Sequence, residues 1–301
     1  MGKRKVWALL CLLAVIMCQS SFAQLKRRIA VFSFEDKTSH RYAWWSGGTP
    51  GEGMADMLIT ALVKQGSYTV MERQEISKIM EEQNLGQTGR VTQQSAADIG
   101  KLLGVELAVF GAVTEYGYSK ERKGGRFKGV GIGVQKQTAT VAVDIHIVNT
   151  ATGEILAAEN VRKEEISGGL SLATKAGRFS DRQSFDKSLV GKATRNAVNE
   201  IVTLIDSQME ALPWNGKVIL VKGTVIYIKP GSDSGVNVGD TFSVFSEGEE
   251  LIDPDTGLSL GTEEKKIATI TVTELITGGK AAKARITSGS GVKTGDIIKQ
   301  Q

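Results

Sequence analysis

The 301-residue sequence predicts an α/β domain carrying two long β-hairpins, followed by a small all-β, barrel-like domain. Three observations carry that expectation. Between about residues 29 and 204 the apolar positions switch between short strand runs and helical spacing, as a mixed α/β layer requires. From Leu212-Pro213-Trp214-Asn215-Gly216 onward the helical pattern ends and strand patterns separated by turns begin. Between these regions, the run from about Phe127 to Asn149 changes its apolar side: Val130, Ile132 and Val134 are even, whereas Ala139, Val141, Val143, Ile145 and Ile147 are odd. Side chains alternate across a strand, so the apolar face flips. About 20 extended residues also far exceed the usual strand of about 5–6. One reading is that the second half packs in a domain core while the first half projects into a different apolar medium.

The chain opens with a targeting pattern. Lys3, Arg4 and Lys5 precede an apolar run from Val6 to Met17, and Ser21-Phe22-Ala23 offers small residues at the alternate positions a signal peptidase accepts. Residues 1–23 are therefore expected to be a signal peptide cleaved after Ala23. A membrane anchor is the alternative, but the run is short of the ~20 apolar residues a spanning helix needs. Both cysteines, Cys11 and Cys18, fall in this leader, so a chain starting at Gln24 has no thiol. That excludes zinc–thiolate sites and cysteine nucleophiles. A lipidated start at Cys18 is disfavoured by the bulky Met17 before it.

The formal charge of +4 includes Lys3, Arg4 and Lys5, leaving about +1 after cleavage. Such a balance is no electrostatic footprint for nucleic acid. With 41% hydrophobic residues and only 4 prolines the chain is globular rather than disordered.

Taken in order, Ile29 to Phe34 is a short apolar strand, and Met54, Leu58, Ala61 and Leu62 recur at helical spacing. Tyr68 to Met71 is a strand, Ile76, Ile79 and Met80 mark a helix, and Ser95 caps another that Gly104 closes. Val105 to Val113 leads toward the long strand. Thr150-Ala-Thr-Gly153 then reverses the chain into Glu154 to Arg162. A helix from about Asp186 to Ser207 puts Leu189, Val190, Ala193, Ala197, Ile201 and Leu204 on one face.

Residues 24–212, and within them Arg28 to Leu204, resemble the CsgG family of curli secretion channels. The likeness lies in Val70-Met71-Glu72-Arg73-Gln74, in Gly129-Val-Gly-Ile-Gly133, in Val148-Asn149-Thr-Ala-Thr-Gly153-Glu154-Ile155-Leu156 and in Leu189-Val-Gly-Lys-Ala-Thr194. The resemblance implies a homo-oligomeric ring at the outer membrane, each copy giving two hairpins to one shared barrel through which unfolded polypeptide passes. It also implies that the loop holding Tyr42, Trp44 and Trp45 lines the constriction. The alternative is that these aromatics fold back as a satellite cluster.

On the residues themselves, a membrane barrel needs apolar side chains outward and small or polar ones inward. The candidate lipid-facing set is Tyr116, Tyr118, Val130, Ile132 and Val134 on a first hairpin turning within Lys120 to Lys128, and Ile166, Leu170 and Leu172 on a second. The second hairpin's return arm, Phe179 to Val190, mixes charges into both faces, where a lipid-exposed charge costs roughly 2–4 kcal/mol. A soluble domain with long surface hairpins stays open as the alternative.

Residues 213–301 carry an internal echo, Gly235-Val236-Asn-Val-Gly239-Asp240 and Gly291-Val292-Lys-Thr-Gly295-Asp296, each before a strand. Glycine permits the positive φ of tight turns at such positions. The pattern resembles the C-terminal domain of the flagellar assembly protein FlgT, which implies a module that docks an envelope protein. Catalysis finds no foothold: His40 and His146 stand without a cysteine or carboxylate cluster, and the Gly129-to-Gly133 run has no Lys-Ser/Thr pair after it. No enzyme, metal or cofactor is expected. Two function classes remain, an outer-membrane export channel and a soluble periplasmic scaffold of an envelope machine.

Overall fold

The computed structural model describes residues 25–38, 48–71, 104–127, 130–168, 182–252, 254 and 259–300. The leader with its cleavage site after Ala23, the aromatics Tyr42, Trp44 and Trp45, the helices expected near Ile76 to Met80 and Ser95 to Leu103, and Leu170 and Leu172 lie outside the described residues.

The first domain is a sheet with helices on one face. Its strands are β1 (Arg27–Val31), β2 (Glu35–Asp36), β3 (Tyr68–Met71), β4 (Leu107–Phe127), β5 (Val130–Asn149) and β6 (Ile155–Gly168). They are ordered β3-β1-β4-β5-β6, with β2 beside β4. β1 is parallel to both β3 and β4, whereas β4, β5 and β6 form an antiparallel meander.

Helix α1 (Pro50–Gln65) starts where local chemistry dictates. Thr49 accepts a hydrogen bond from the Glu52 amide, the Glu52 carboxylate accepts one from the Thr49 amide, and Pro50 fills the first turn. Met54, Leu58 and Leu62, the expected apolar stripe, are wholly buried. The short α2 (Arg182–Lys187) and the long α3 (Leu189–Ala211) follow β6. Val190, Ala193, Ala197, Ile201 and Ile205 of α3 pack on the sheet against Val141, Val143 and Ile145. Full burial of each such aliphatic side chain contributes roughly 1.5–3 kcal/mol. On the opposite face Phe32 stacks on Phe110 at 4.3 Å over a smaller cluster of Ala30, Ala108 and Val148.

Two sequence expectations are corrected here. β4 continues as strand from Lys120 to Phe127, which pairs with Val130, so strand occupies all of that charged stretch but its last residue, Lys128. The return arm expected at Phe179 to Val190 is helical from Arg182 onward, because Phe185 is drawn wholly into the core beneath α3.

The second sheet holds β7 (Asn215–Lys222), β8 (Val225–Lys229), β9 (Thr241–Ile252), β10 (Ser259–Leu275), β11 (Ala282–Gly289) and β12 (Ile297–Gln300). Its order, β10-β11-β8-β7-β12-β9, closes on itself. Val218, Ile226, Val244 and Ile270 fill the interior, and Trp214 stacks on Phe242 at 5.3 Å. The sequence echo is one turn used twice: Asp240 accepts from the Asn237 amide at 2.8 Å, and Asp296 from the Lys293 amide at 2.6 Å. Gly239 and Gly295 carry φ near +97° and +100°.

The two domains are joined by more than the linker. Leu25 packs into the second-domain core, and the Lys26 amide donates to the Ser234 carbonyl at 2.8 Å. Arg27, nearly buried, pairs with Glu106 at 2.9 Å and donates to the Leu212 carbonyl at 2.8 Å where α3 ends. Burial holds the Arg27 guanidinium below its ordinary value and pushes the Glu106 carboxyl up, with the mutual attraction opposing both.

Candidate functional site

The candidate site is the long β4–β5 ribbon, its foot, and the segment that enters beside it. At the foot β4 carries a bulge: Val113 opposes Val143, but Glu115 opposes Ala142, leaving Thr114 as the extra residue. An extra residue exchanges the two faces of a strand. Before it the odd residues Leu107, Val109 and Val113 lie in the helix-covered core; after it the even residues Tyr116 and Tyr118 do.

The assignment of Tyr116 and Tyr118 to a lipid face is therefore corrected. Tyr116 is 7% exposed, its hydroxyl lies beside Thr194 of α3, and burial pushes that hydroxyl above its ordinary range. The Tyr118 hydroxyl accepts from the Val190 amide at 3.5 Å, in the first turn of α3. The signal was present in the sequence, where the apolar parity shifts between Val113 and Tyr116.

The start of α3 is locked against α2. Ser188 caps the helix by accepting from the Gly191 amide at 3.0 Å and donates to the Phe185 carbonyl at 2.6 Å. Arg195 reaches back to Asp186 at 2.8 Å. A Cβ at Gly191 would stand 2.0 Å from the Phe185 carbonyl oxygen, so only glycine permits this approach. Asn196 donates to Glu165 at 2.8 Å and Lys163 pairs with Glu200, fastening β6 to the same helix.

The other face of the foot is polar. Arg162 holds Glu115 through two hydrogen bonds of 3.1 and 3.2 Å and meets Glu164 at 2.6 Å; these carboxylates raise its pKa. Asn160 donates to Asp144 at 2.6 Å. Sequence reading missed this cluster, since only the strand register brings Glu115 across β5 to Arg162.

Beyond the foot the ribbon is long. Among the described residues β5 pairs with β6 as far as Lys136 and Gly168, and β4–β5 pairing continues for six more pairs, from Arg122–Gln135 to Phe127–Val130. At about 3.4 Å per residue they add roughly 20 Å. Val130, Ile132 and Val134 stand at alternate positions of this stretch, opposite Phe127, Gly125 and Lys123. Ile166, opposite Thr138 on β6, is exposed.

The segment containing Tyr42, Trp44 and Trp45 is anchored at both described ends. β2 lies parallel to β4, and the Lys37 amide donates to the Val113 carbonyl at 2.9 Å, one residue before the bulge. Gly51, in the first turn of α1, packs so closely on the Phe34 carbonyl that a Cβ would approach to 2.3 Å. Both ends thus sit near the foot of the ribbon. Among the described residues no group of three or more His, Cys, Asp or Glu could hold a metal ion. No helix among them is long and apolar enough to cross a membrane, which leaves strands untouched.

A family model described as "Curli production assembly/transport component CsgG" matches residues 13–217, most of the chain and all of the first domain described here. The curli component CsgG of Salmonella typhimurium is 27% identical over 183 residues, covering 56% of this chain and 64% of that protein. Its counterpart in Escherichia coli K12 is 28% identical over the same extent. The chain thus spans a little under two thirds of the length of the curated relatives it matches. Among solved structures, protein CT253 from Chlamydia trachomatis aligns with a TM-score of 0.39 at 13% identity, covering 62% of this chain and 99% of that one. The LpoB C-terminal domain from Salmonella enterica aligns at 0.32 and 17% identity, covering 50% and 91%.

Proposed function

The chain belongs to the CsgG family of curli production assembly/transport components, and we propose that it is a non-catalytic secretion component of the outer membrane. In this reading its copies form a ring whose pooled hairpins make one barrel, and unfolded polypeptide leaves by diffusion past a constriction of Tyr42, Trp44 and Trp45. The second domain, nearly all of it beyond the family match, serves the periplasmic side and docks an envelope protein.

One observation carries the reading: β4 and β5, 21 and 20 residues long, stay paired along their whole length to Phe127 and Val130. Strands in a domain core usually run to about 5–6 residues. Four strands from one chain cannot close a barrel, and open edges are prohibitive in lipid, so such a ribbon calls for neighbouring copies. The bulge at Thr114 suits the task, since it lets Tyr116 and Tyr118 seal the domain core while the strand continues.

The test is fractionation of the cleaved protein between periplasm and detergent-extracted outer membrane, followed by imaging for rings and single-channel recording. Rings with conductance that rises in the Trp44→Ala/Trp45→Ala double variant at unchanged melting are expected. Protein that stays monomeric in the periplasm would refute the channel. The helical α2 favours a second reading: it stands where a return strand was expected and leaves β6 without that partner among the described residues. That reading is a soluble periplasmic scaffold of an envelope machine.

A further inference from the structure

The second domain carries an acidic tip on its β9–β10 hairpin and, across the closed sheet, a basic β7–β8 hairpin. From Glu247 to Glu264, the outer part of the β9–β10 hairpin, the sequence holds seven carboxylates and no lysine or arginine. Glu247, Glu249 and Glu263 are exposed there, as is Leu251. β7, β8 and β11 hold five cations and no carboxylate. Lys283 pairs with Glu274, whereas Lys217, Lys222 and Arg285 have no ion-pair partner among the described residues. Inside this basic frame Ile219, Leu220 and Val225 are exposed. Register places Leu220 across from Tyr227, and Val225 between Lys222 and Arg285. The surplus of positive charge is felt locally: burial, then Arg28 and Lys280, lower the pKa of Lys229.

Topology sets the relation of the two surfaces. Around the closed sheet, β9 and β10 are separated from β7 and β8 by one strand on each side, β12 and β11, so the hairpins face opposite ways. β12 pairs antiparallel with both β7 and β9, so these two run in the same direction and their turns lie at the same end. A molecule with complementary patches on opposite flanks at one level is built for head-to-tail association. If the rotation per copy closes, the product is a ring.

We propose that the second domains of neighbouring copies dock side by side, the acidic β9–β10 arm of one seating Leu251 on the apolar centre and lysine frame of the next copy's β7–β8 hairpin, which Arg285 of β11 borders. This deepens the ring reading given above and rests on it. Matched charges orient such a contact and reject a copy approaching in reverse, where like charges would meet.

Zero-length carbodiimide coupling of the detergent-extracted full chain, followed by peptide mapping, tests it. Bonds between Glu247, Glu249 or Glu263 and Lys217 or Lys222 are assigned to different copies by mixing isotope-labelled with unlabelled chains before coupling, because Lys217 and Phe245 flank the same residue, Ile297, within one copy. Such bonds are expected within a ladder of multimers. Two exposed triple variants should each lower the ladder at least fivefold: Glu247→Lys/Glu249→Lys/Glu263→Lys, and Lys217→Glu/Lys222→Glu/Arg285→Glu. Co-expressed, they should restore it, since each supplies the charge the other lacks; melting of each variant alone checks its folding. Rings that image normally without these bonds, and that both variants leave intact, overturn the proposal and spare the channel. The bonds without rings uphold the proposal and sink the ring. Absence of both overturns both. No bonds, together with binding to phosphatidylglycerol vesicles that the Lys217→Glu/Lys222→Glu/Arg285→Glu variant abolishes, overturns the proposal in favour of a lipid surface.

Discussion

In the second domain each strand from β7 to β12 pairs with two neighbours, whereas in the first, among the described residues, β3 and β6 stand at the ends of an open sheet. Unpaired strand edges invite further pairing, and closure removes them. The second domain achieves closure within one chain with strands of 4 to 17 residues. The first domain makes strands of 21 and 20 residues, and its described strands form an open sheet. Strand length alone therefore does not decide closure; the supply of partners does.

The comparison breaks if the two domains are not separate cooperative units. Phe185 and Phe242 are both essentially inaccessible, one in each core. Trimming either to alanine should cost about 3–5 kcal/mol. In calorimetry each variant should lower only the transition of its own domain; a common shift would mean a single core in thermodynamic terms.

Arg27 is where the two should couple. Its replacement by methionine keeps the length of the side chain but leaves Glu106 buried without its cation. A broken buried pair costs about 3–5 kcal/mol, of which the partial exposure of Glu106 should remove a portion. Because Arg27 also holds the Leu212 carbonyl at the interdomain turn, both transitions should fall. A change limited to one would show that Leu25 and the linker suffice.

The ribbon side is sharpened by a change that stability should barely register. Ile166→Ser, at an exposed position, should stay within about 0.5 kcal/mol of the parent in chemical denaturation. If Ile166 meets lipid, the same variant should nonetheless reduce the protein recovered in the membrane fraction. Unchanged recovery would remove it from the lipid-facing set.

The smallest expected effect is a pH slope. Burial raises the Glu106 carboxyl above its ordinary 4.5 in the folded chain, so the folded state holds that proton more tightly than the unfolded state does. Stability from this group is then full below about 4.5 and is lost as pH rises through the folded value. Urea midpoints of Glu106→Gln, followed from pH ~4 to ~7, should lack this decline. A parallel course in parent and variant would contradict the assignment.

Much of the fold was legible because its signals are local. The stripe Met54, Leu58 and Leu62, the odd run Ala139 to Ile147 and the repeated glycine-aspartate turns all landed as expected. Tyr116 and Tyr118 were assigned to a hairpin in lipid, whereas the extra residue at Thr114 exchanges the faces of β4 and turns both toward the domain core. Phe185 was read into a strand because charges at Arg182, Asp186 and Lys187 break any strand pattern without announcing a helix of six residues.

Alternation, capping and turn geometry were determined by the sequence alone, since each follows from steric and hydrogen-bonding rules acting within a few residues. Tertiary structure alone decided the bidentate grip of Arg162 on Glu115 and the reach of Arg27 to Met209, 182 residues away. These depend on which backbones meet at what register, and no short window of sequence holds both partners.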